Sequence, residues 1–398
     1  MQTVGIVCEY NPFHKGHLYH LQETCRVLGE DTTTVCVMSG DFVQRGEAAV
    51  FDKFARAEAA CLCGADLVVE LPLPWCLSSA EGFAFGAVSI LAALGCETLS
   101  FGSESGDVTA LRRLAAFSAN PASQEYIYSL MDSDASLSYP RARQLAAEKA
   151  LGGTASFFKN PNDILAVEYL KAIDRVGTGI LPLAIRRAGE DHDSEAEGEY
   201  ISALHIRELL KSGQDPASWV PESALCVFRR EMQSGHMRDE KLLEIALLSR
   251  LYQLKPECFD VLPDAGGGAG RRLYQTLWQS NGVEQTVKAS ATKRYTSARM
   301  RRMLICAALG ICAEDTKGTP PYIRVLAMGK KGRALLARLR GNTLLPVINK
   351  SGDVKMLGIQ AEKVFNQCAR AHELYRLACP MAERCEPGED WRRTGVIV

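Results

Sequence analysis

Several features that identify whole classes of protein are missing from this 398-residue chain. It has no run of about 18 uncharged apolar residues, and the longest apolar segment, Phe83 to Leu94, is too short to cross a bilayer. The N-terminus passes from Met1 directly into a β-rich segment with no basic flank or cleavage-type segment, so we predict no secretory signal and a cytoplasmic location. The 14 cysteines include no Cys-x-x-Cys pair, which argues against a structural zinc site and favours free thiols.

The net charge of -1 hides an asymmetry between the two halves of the chain. Residues 1–215 contain 17 Lys and Arg against 29 Asp and Glu, whereas residues 216–398 contain 29 against 18. Such a division often marks a half that binds a polyanion, although it can also serve solubility alone. The polar, proline-containing segment 213–222 separates the halves, so we predict two domains, 1–215 and 216–398.

Short apolar segments in the first half alternate with longer segments of helical periodicity. The predicted strands span residues 3–8, 32–38, 66–71, 97–101 and 180–185; the predicted helices span about 17–28, 53–63, 79–94, 107–176 with a break at 160–163, and 202–210. This alternation predicts a Rossmann-like α/β fold with a parallel sheet covered on both faces. Such sheets bind ligands outside the carboxyl ends of their strands, so the loops after the strands are potential sites.

Helical periodicity dominates the second half of the chain. The predicted helices span residues 242–254, 296–309, 323–339 and 361–378, which indicates a basic, mainly α-helical C-terminal domain. Before the predicted boundary, the acidic segment 190–199 is almost without apolar residues, so we predict a solvated, mobile loop there.

The segment that follows the first predicted strand has the strongest chemical pattern. His14 and His17 flank Lys15-Gly16 where the strand gives way to a helix. A helix N-terminus attracts phosphate through free N–H groups, and Gly16 allows close approach of the backbone. Both imidazoles can donate to the same phosphate oxygen, although a helix cap or a structural metal would also explain them. The pattern resembles the His-x-Gly-His motif of a nucleotidyltransferase superfamily whose members form adenylates.

A second element of that superfamily's signature resembles the segment from Ile201 to Arg207. Ser202 can cap the following helix, and Arg207 can reach the β- or γ-phosphate of a nucleotide as a forked donor. Leu204 stands where the superfamily has threonine, so a role for that hydroxyl is absent here. Arg207 can equally be a surface arginine after an ordinary helix cap.

Several motifs in one order resemble the bacterial tRNA(Met) cytidine acetate ligases. They are residues 5–20, 39–47, 52–58, 100–104, 161–165, 299–302 and 322–326. The resemblance implies a Rossmann-like nucleotidyltransferase domain followed by a helical tRNA-binding domain. It also implies a two-step reaction, in which ATP and acetate form acetyl-adenylate and the acetyl group then passes to the wobble cytidine of elongator tRNA(Met), giving N4-acetylcytidine.

The resemblance carries a set of functional residues onto this chain. It implies catalytic roles for His14, His17 and Arg207. It implies ATP contacts from Val7, Cys8, Glu9, Tyr10, Asn11, Pro12, Phe13, His14, Lys15, Gly16, His17, Leu18, Tyr19, His20, Gly102, Asn162, Arg186 and Arg187. The expected partners are ATP with Mg²⁺, acetate and elongator tRNA(Met); no protein metal site, membrane or DNA contact is expected.

The residues outside the first loop also have simpler explanations. Gly102 lets a ribose or base approach the end of a strand, Asn162 offers a donor and an acceptor, and Arg186 and Arg187 supply positive charge. The alternatives are a turn for Gly102, a helix N-cap for Asn162 and a surface charge for Arg187. In the loop after the second strand, Gln44 and Arg45 can face acetate or cytidine, or an Arg45–Glu47 salt bridge can explain that loop.

Two basic clusters in the second half favour contact with RNA. The first cluster provides Lys293, Arg294, Arg299, Arg301 and Arg302 as RNA-binding residues. The second cluster contains Lys330, Lys331, Arg333, Arg338 and Arg340. Such cations neutralise RNA phosphates, although either cluster can also be a solvated helix face. Two other functions stay open: an adenylyltransferase that acts on a small phosphorylated metabolite, and a non-catalytic RNA-binding or assembly factor that retains nucleotide binding.

Overall fold

The computed structural model describes residues 2–134, 136–187, 200–381 and 386–398. Its centre is a parallel sheet in the strand order β5-β4-β1-β2-β3. These strands are β1 (Thr3–Cys8), β2 (Thr33–Ser39), β3 (Leu67–Leu71), β4 (Thr98–Ser103) and β5 (Leu181–Arg186). From β1 the chain continues to β2 and β3 on one side of the sheet and then returns to β4 and β5 on the other side. Open parallel sheets bind their ligands at this switch point, outside the carboxyl ends of the strands. The predicted Rossmann-like fold is confirmed.

The helices of the first half connect these strands. They are α1 (Lys15–Leu28), α2 (Lys53–Leu62), α3 (Leu73–Cys76), α4 (Ala80–Ala93), α5 (Val108–Ala119), α6 (Pro121–Ser133), α7 (Tyr139–Leu151), α8 (Pro161–Val176) and α9 (Ala203–Lys211), with a 3-10 helix at Gly152–Lys159. The single long helical region predicted for 107–176 is therefore divided. Its predicted break at 160–163 is the start of α8, because Asn160 takes the N-cap position and Pro161 the first helical position.

The helices of the second half follow. They are α10 (Glu222–Gln233), α11 (Glu240–Leu251), α12 (Glu257–Asp260), α13 (Ala269–Leu277), α14 (Val283–Ser290), α15 (Ser297–Leu309), α16 (Lys330–Leu339), α17 (Ile359–Leu377) and α18 (Glu389–Arg392), with 3-10 helices at Gly266–Gly268, Ala313–Thr316 and Ser351–Leu357. The mainly helical character of this half is confirmed. The predicted loop at 190–199 lies outside the described residues.

One prediction for the second half is wrong: residues 323–339 are not one helix. They form strand β6 (Ile323–Met328), which pairs antiparallel with β3, and then α16. Strands β7 (Val347–Ile348) and β8 (Val396–Ile397) both pair parallel with β6. A short apolar run does not distinguish a strand from a buried helix by periodicity alone. One sheet thus crosses the proposed boundary at 215/216, and the division into two domains stays a prediction.

Alternate residues of the central strands enter two different hydrophobic cores. Val35 and Val37 of β2 pack on the side of α4, α8 and α17, whereas Cys36 and Met38 pack on the side of α1, α2 and α10. This period-two alternation is what a sheet covered on both faces requires. Gly5 of β1 allows α4 to approach closely, since a Cβ there would lie 2.5 Å from a methyl carbon of Leu91. A third core joins α11, α13, α14 and α15 to α17.

Candidate active site

A cavity of about 390 Å³ opens at the carboxyl ends of β1, β4 and β5. The residues predicted to contact ATP that line it are Val7, Cys8, Glu9, Tyr10, His14, Gly16, His17, Tyr19, His20, Gly102, Asn162, Arg186 and Arg187. Apolar side chains such as Phe83, Phe101 and Tyr169 form another part of the wall. A cavity with a polar, basic part and an aromatic part is suited to a nucleotide.

Five residues of the predicted ATP segment are not among the residues that line this cavity: Asn11, Pro12, Phe13, Lys15 and Leu18. Two of them support the site from behind. Phe13 is fully buried, and its ring centroid lies 5.6 Å from that of His17. The side-chain oxygen of Asn11 accepts a hydrogen bond from the backbone N–H of Val50 at 2.9 Å. For all five residues, contact with the nucleotide stays a prediction.

Backbone hydrogen bonds fix the protonation of the two motif histidines. Nδ1 of His14 accepts the N–H of Gly16 at 3.0 Å, and the N–H of His14 donates to Nδ1 of His17 at 3.3 Å. Because Nδ1 is the acceptor in both neutral rings, the proton of each ring is on Nε2. The rings are stacked with centroids 3.8 Å apart, so they offer two adjacent Nε2–H donors. The capping explanation of His14 is correct, and it is compatible with a binding role.

Burial keeps these imidazoles neutral. Burial, with a smaller contribution from Arg187, lowers the pKa of His14 to about 4 and has the same effect on His20. Burial and then the nearby ring of His14 hold the pKa of His17 well below its usual value. The histidines therefore act as neutral hydrogen-bond donors near pH 7 and gain affinity for protons when an anion is present.

Two features of the loop hold the histidine pair in this geometry. A Cβ on Gly16 would lie 2.9 Å from Cε1 of His14, so the close approach of the ring to the backbone requires glycine. The ring of Tyr10 packs edge-on against His17 with centroids 4.9 Å apart. The donors are thus positioned before any ligand binds, which is the requirement for electrostatic stabilisation of a transition state.

Glu104, which the sequence did not single out, orients Asn162. Its Oε1 accepts from Nδ2 of Asn162 at 2.7 Å and from the backbone N–H at 3.2 Å, while its Oε2 accepts from the N–H of Asp163 at 2.9 Å. The explanation of Asn162 as an N-cap is wrong, since Asn160 occupies that position. The motif at residues 100–104 contained Glu104, but nothing in the sequence linked it to Asn162.

Arg207 lies behind the loop of the motif. Its Nη1 donates to the backbone carbonyl of Asn11 at 3.0 Å, and its Nη2 lies 3.7 Å from a carboxylate oxygen of Glu47. Arg207 is not among the residues that line the cavity, so contact with a phosphate stays a prediction. Ser202 caps α9 as predicted, accepting the N–H of His205 at 3.3 Å.

The loop Gly40–Glu47 after β2 forms another wall of the cavity through Gln44 and Arg45. The buried guanidinium of Arg56 supports it from below, donating to the carbonyls of Glu9 (2.5 Å), Ser39 (3.2 Å) and Gly40. One side chain thereby joins the carboxyl ends of β1 and β2. The motif at residues 52–58 contains Arg56, but its partners here are backbone oxygens, which no sequence motif indicates.

A buried ionic cluster attaches the start of this loop to helices α17 and α18 near the C-terminus. Asp41 accepts from the backbone N–H of Lys53 at 2.9 Å and pairs with Nδ1 of His372 at 2.9 Å. Nζ of Lys53, which is fully buried, lies 2.6 Å from Asp390 and 3.0 Å from Glu70. Burial by itself opposes protonation of His372, but the neighbouring carboxylates, Asp41 first, outweigh it and raise its pKa to about 10.

The first basic cluster lies beside the same loop. Nη1 of Arg301 is 3.6 Å from Glu47, and its Nη2 is 2.7 Å from Glu284. The proposed Arg45–Glu47 pair is replaced by contacts of Glu47 with Arg207 and Arg301. Gly46 packs so closely on α15 that a Cβ there would lie 2.8 Å from the backbone nitrogen of Arg302.

The residues of the first basic cluster differ in their exposure to solvent. Lys293 and Arg294 are exposed, whereas Arg299, Arg301 and Arg302 are half-buried. Arg299 donates to the carbonyl of Asp264, and Arg302 lies 3.4 Å from the carboxylate of the same residue.

The second basic cluster lies at the opposite edge of the sheet. Lys331 donates to the carbonyl of Glu30, just before β2, at 2.8 Å. Nη2 of Arg338 is 3.5 Å from the hydroxyl of Thr3, at the start of β1. These contacts are at the amino ends of the parallel strands, and the cavity is at their carboxyl ends. The sequence suggested the same RNA-binding role for both basic clusters, whereas the structure places them at opposite ends of the parallel strands.

Within the described ranges, no group of three or more His, Cys, Asp or Glu side chains is arranged to hold a metal ion. If His14 and His17 formed a structural metal site, they would need further ligands, and the described residues supply none in a suitable group. The described cysteines are free thiols. No helix in the same ranges has the length and apolar character needed to cross a membrane.

Comparison with known proteins gives consistent matches along the chain. The HIGH Nucleotidyl Transferase family matches residues 1–389. The tRNA(Met) cytidine acetate ligase of Caldanaerobacter subterraneus subsp. tengcongensis is 35% identical over 391 residues, covering 95% of this chain and 96% of that protein. The ligase of the same name from Caldicellulosiruptor saccharolyticus is 37% identical over 85% of each chain. The crystal structure of Thermotoga maritima TmcAL bound with alpha-thio ATP superimposes with a TM-score of 0.90, at 29% identity, over the whole of both chains.

Proposed function

The chain belongs to the HIGH nucleotidyl transferase family and, within it, to the tRNA(Met) cytidine acetate ligases, and we propose on this basis that its cavity activates acetate with ATP. In the first step a carboxylate oxygen of acetate attacks the α-phosphorus of ATP, and pyrophosphate leaves. In the second step the exocyclic amine of the wobble cytidine attacks the acetyl carbonyl, giving N4-acetylcytidine and AMP. Because its proposed substrate is a tRNA, we also propose a cytoplasmic location.

The observation that carries the first step is the pair of neutral, stacked imidazoles at the N-terminus of α1. Their Nε2–H groups are fixed as donors by the backbone bonds to Nδ1. We expect both to donate to the α-phosphoryl oxygen as negative charge builds up on it. The free N–H groups of the first turn of α1 add to this field, and Arg187 supplies positive charge from the end of β5.

Mg²⁺ is proposed as a companion of ATP rather than as a resident ion. Described residues offer no cluster of three carboxylate, thiolate or imidazole ligands. Because Mg²⁺ commonly keeps several waters and binds through nucleotide phosphates, the cavity needs no carboxylate cage of its own. When bound, the ion would neutralise charge on the phosphates and on the pyrophosphate that leaves.

Acetate-dependent exchange of pyrophosphate into ATP tests the first step. We expect exchange with acetate present and a decrease of about 10²–10³-fold in His17→Ala, since one preorganised donor is removed from the transition state. The matched control is His236→Ala, because His236 pairs with Glu231 and is not among the cavity residues. Exchange that needs no acetate, or an equal decrease in both variants, would contradict this assignment.

For the second step we propose that the first basic cluster binds the phosphates of tRNA: Lys293, Arg294, Arg299, Arg301 and Arg302. Support comes from the position of this cluster, because Arg301 touches the same loop that carries Gln44 and Arg45 into the cavity. RNA held along α15 would therefore lie next to the reaction. The exposed pair Lys293 and Arg294 is the sharpest probe, since Arg299, Arg301 and Arg302 also hold the protein together.

The test compares two double variants that change the net charge equally. Lys293→Glu/Arg294→Glu should weaken tRNA binding at least tenfold and lower the slope of log affinity against log salt by about 2. Lys330→Glu/Arg333→Glu, at the opposite edge of the sheet, should change neither quantity appreciably. Filter binding over a salt series measures both, and pyrophosphate exchange, which needs no RNA, reports that the variants fold. Equal weakening by both pairs would show a non-specific charge effect.

A further inference from the structure

Glu9 is the only carboxylate among the described residues that line the cavity. It directly follows β1, five residues before His14, and it is half-buried. We propose that Glu9 is the general base that removes the proton from the acceptor amine during acetyl transfer. This inference rests on the proposed function, since it concerns the second step of that reaction.

The surroundings hold this carboxyl group in one place. Its Oε1 accepts the backbone N–H of Gln44 at 2.9 Å, which attaches it to the loop Gly40–Glu47. The carbonyl of Glu9 accepts from Nη1 of Arg56 at 2.5 Å, so the backbone is also fixed. In the described part of the chain no second side-chain hydrogen bond to Glu9 is present, and Oε2 has capacity to accept a proton.

The other ionisable groups of the cavity are poorly suited to this task. The backbone bonds of His14 and His17 occupy Nδ1 and leave Nε2 protonated, so both rings are donors. Burial raises the pKa of Cys8 and Tyr10, which keeps the thiol and the phenol protonated near neutral pH. The arginines of the wall stay charged and have no lone pair to offer. Burial lowers the pKa of His20 to about 4, which makes its imidazole a weak base, and its Nε2 already contacts the hydroxyl of Ser100 at 2.9 Å. Among the described residues of the wall, Glu9 therefore offers the carboxylate that combines basicity with access to the cavity.

The charged and titratable neighbours of Glu9 come from the loop Gly40–Glu47 and from helices α2, α3 and α8; Cys76 is the neighbour from α3. Burial raises the pKa of its carboxyl group, and Glu47 acts in the same direction; the Gln44 N–H, Arg56 and Arg45 oppose this. Tyr169 faces it from α8 as a protonated phenol. A carboxylate that is a stronger base than usual accepts a proton from a reacting amine more readily.

The step balances in atoms and charge. The cytidine amine attacks the carbonyl carbon of acetyl-adenylate, so that a C–N bond forms. The bond between that carbon and the phosphate oxygen then breaks, and AMP leaves with the electron pair. The amine loses one proton, and this proton passes to the carboxylate of Glu9. No oxidant, reductant or further reactant is needed.

Glu9→Gln is the variant that tests this role, because the glutamine oxygen can still accept the N–H of Gln44 while the basicity is lost. The measurement is single-turnover acetyl transfer to tRNA(Met) from acetyl-adenylate formed on the enzyme. We expect transfer to decrease by about 10²–10⁴-fold. Acetate-dependent pyrophosphate exchange should decrease less than tenfold. The wild-type transfer rate should rise with pH and then level off, and the rising limb should be absent in Glu9→Gln.

Glu81→Gln is the matched control, since Glu81 is an exposed glutamate of α4 that faces Lys171 and is absent from the cavity lining. We expect wild-type transfer in this variant. The proposal is overturned if Glu9→Gln transfers acetyl at the wild-type rate, or if exchange decreases as much as transfer, which would leave Glu9 as the ATP contact that the resemblance implies and not as a base. If the wild-type protein shows no acetate-dependent exchange, the proposed function fails instead, and the two failures are distinguishable.

Discussion

Replacing Lys53 with methionine should destabilise this protein far more than the loss of a surface charge. Lys53 belongs to a cluster in which three buried cations, Lys53, Arg324 and His372, face three buried carboxylates, Asp41, Glu70 and Asp390. At its rim, His372 also pairs with the half-buried Glu389 at 3.3 Å. His372 counts as a cation because its pKa is raised to about 10. Methionine fills a similar volume but leaves one negative charge without a partner.

The size of the effect follows from the burial of the cluster. Lys53 is fully buried, and Asp390 and Glu70 are 0% and 2% exposed, so water cannot solvate the carboxylate that loses its partner. Removing one partner of a buried ion pair costs roughly 3–5 kcal/mol. This is a large part of the free energy of unfolding of a typical domain, which is roughly 5–15 kcal/mol. A cluster carboxyl would take up a proton to relieve the charge, so the loss should be smaller at pH 5.5 than at pH 8.

Urea unfolding at these two pH values measures the change in the free energy of unfolding. The surface control is Lys211→Met, because Lys211 and Glu240 form an exposed pair at 2.5 Å whose loss should cost less than about 1 kcal/mol. Adding Glu70→Gln to Lys53→Met restores the balance of charge and should recover at least half of the loss. A Lys53→Met variant as stable as the control, or a double variant with no recovery, would refute this account of the cluster.

Two further predictions concern the cavity and its loop. The free energy of unfolding of the ligand-free protein should fall as pH drops from 6.5 to 4, because the unfolded chain protonates His14 and His20 near 6.5, whereas the folded pKa of each is about 4. Each histidine should contribute roughly 2–3 kcal/mol, and urea unfolding of His20→Gln should show a shallower dependence. Gly46→Ala should cost roughly 1–3 kcal/mol in thermal unfolding, since Gly46 has φ +79° and a Cβ would meet the backbone of Arg302. A neutral Gly46→Ala would show that α15 can move away from the loop.

Local patterns anticipated much of the site. The strand-to-helix transition around His14 and His17 could be predicted because apolar runs, a glycine and a helix start are all local features. Gly102, Asn162 and Arg187 were placed by resemblance, and strands β4 and β5 together with the start of α8 bring all three to the same cavity as the histidines. Glu104, which orients Asn162, was missed because the contact joins residues that are 58 positions apart.

The segment 323–339 shows why part of the fold could not be predicted. Its apolar residues fit a helix as well as a strand, and only pairing with β3 decides that Ile323–Met328 is extended. That pairing depends on residues more than 250 positions earlier in the chain. The same distance hid the ionic cluster, in which Lys53 meets Asp390 across 337 positions.

Sequence alone determined the alternation of strands and helices, the motif that ends β1, and the excess of positive charge in the second half. These depend on neighbouring residues or on simple sums, so no long-range contact is needed to recognise them. Tertiary structure alone decided that one basic cluster lies beside the cavity and the other at the opposite edge of the sheet. It also decided that Arg56 binds backbone oxygens and that, among the residues with a described position, Glu9 is the carboxylate that lines the cavity. The physical reason is that distance in space, burial and desolvation are set by packing, and packing joins parts of the chain that share no local pattern.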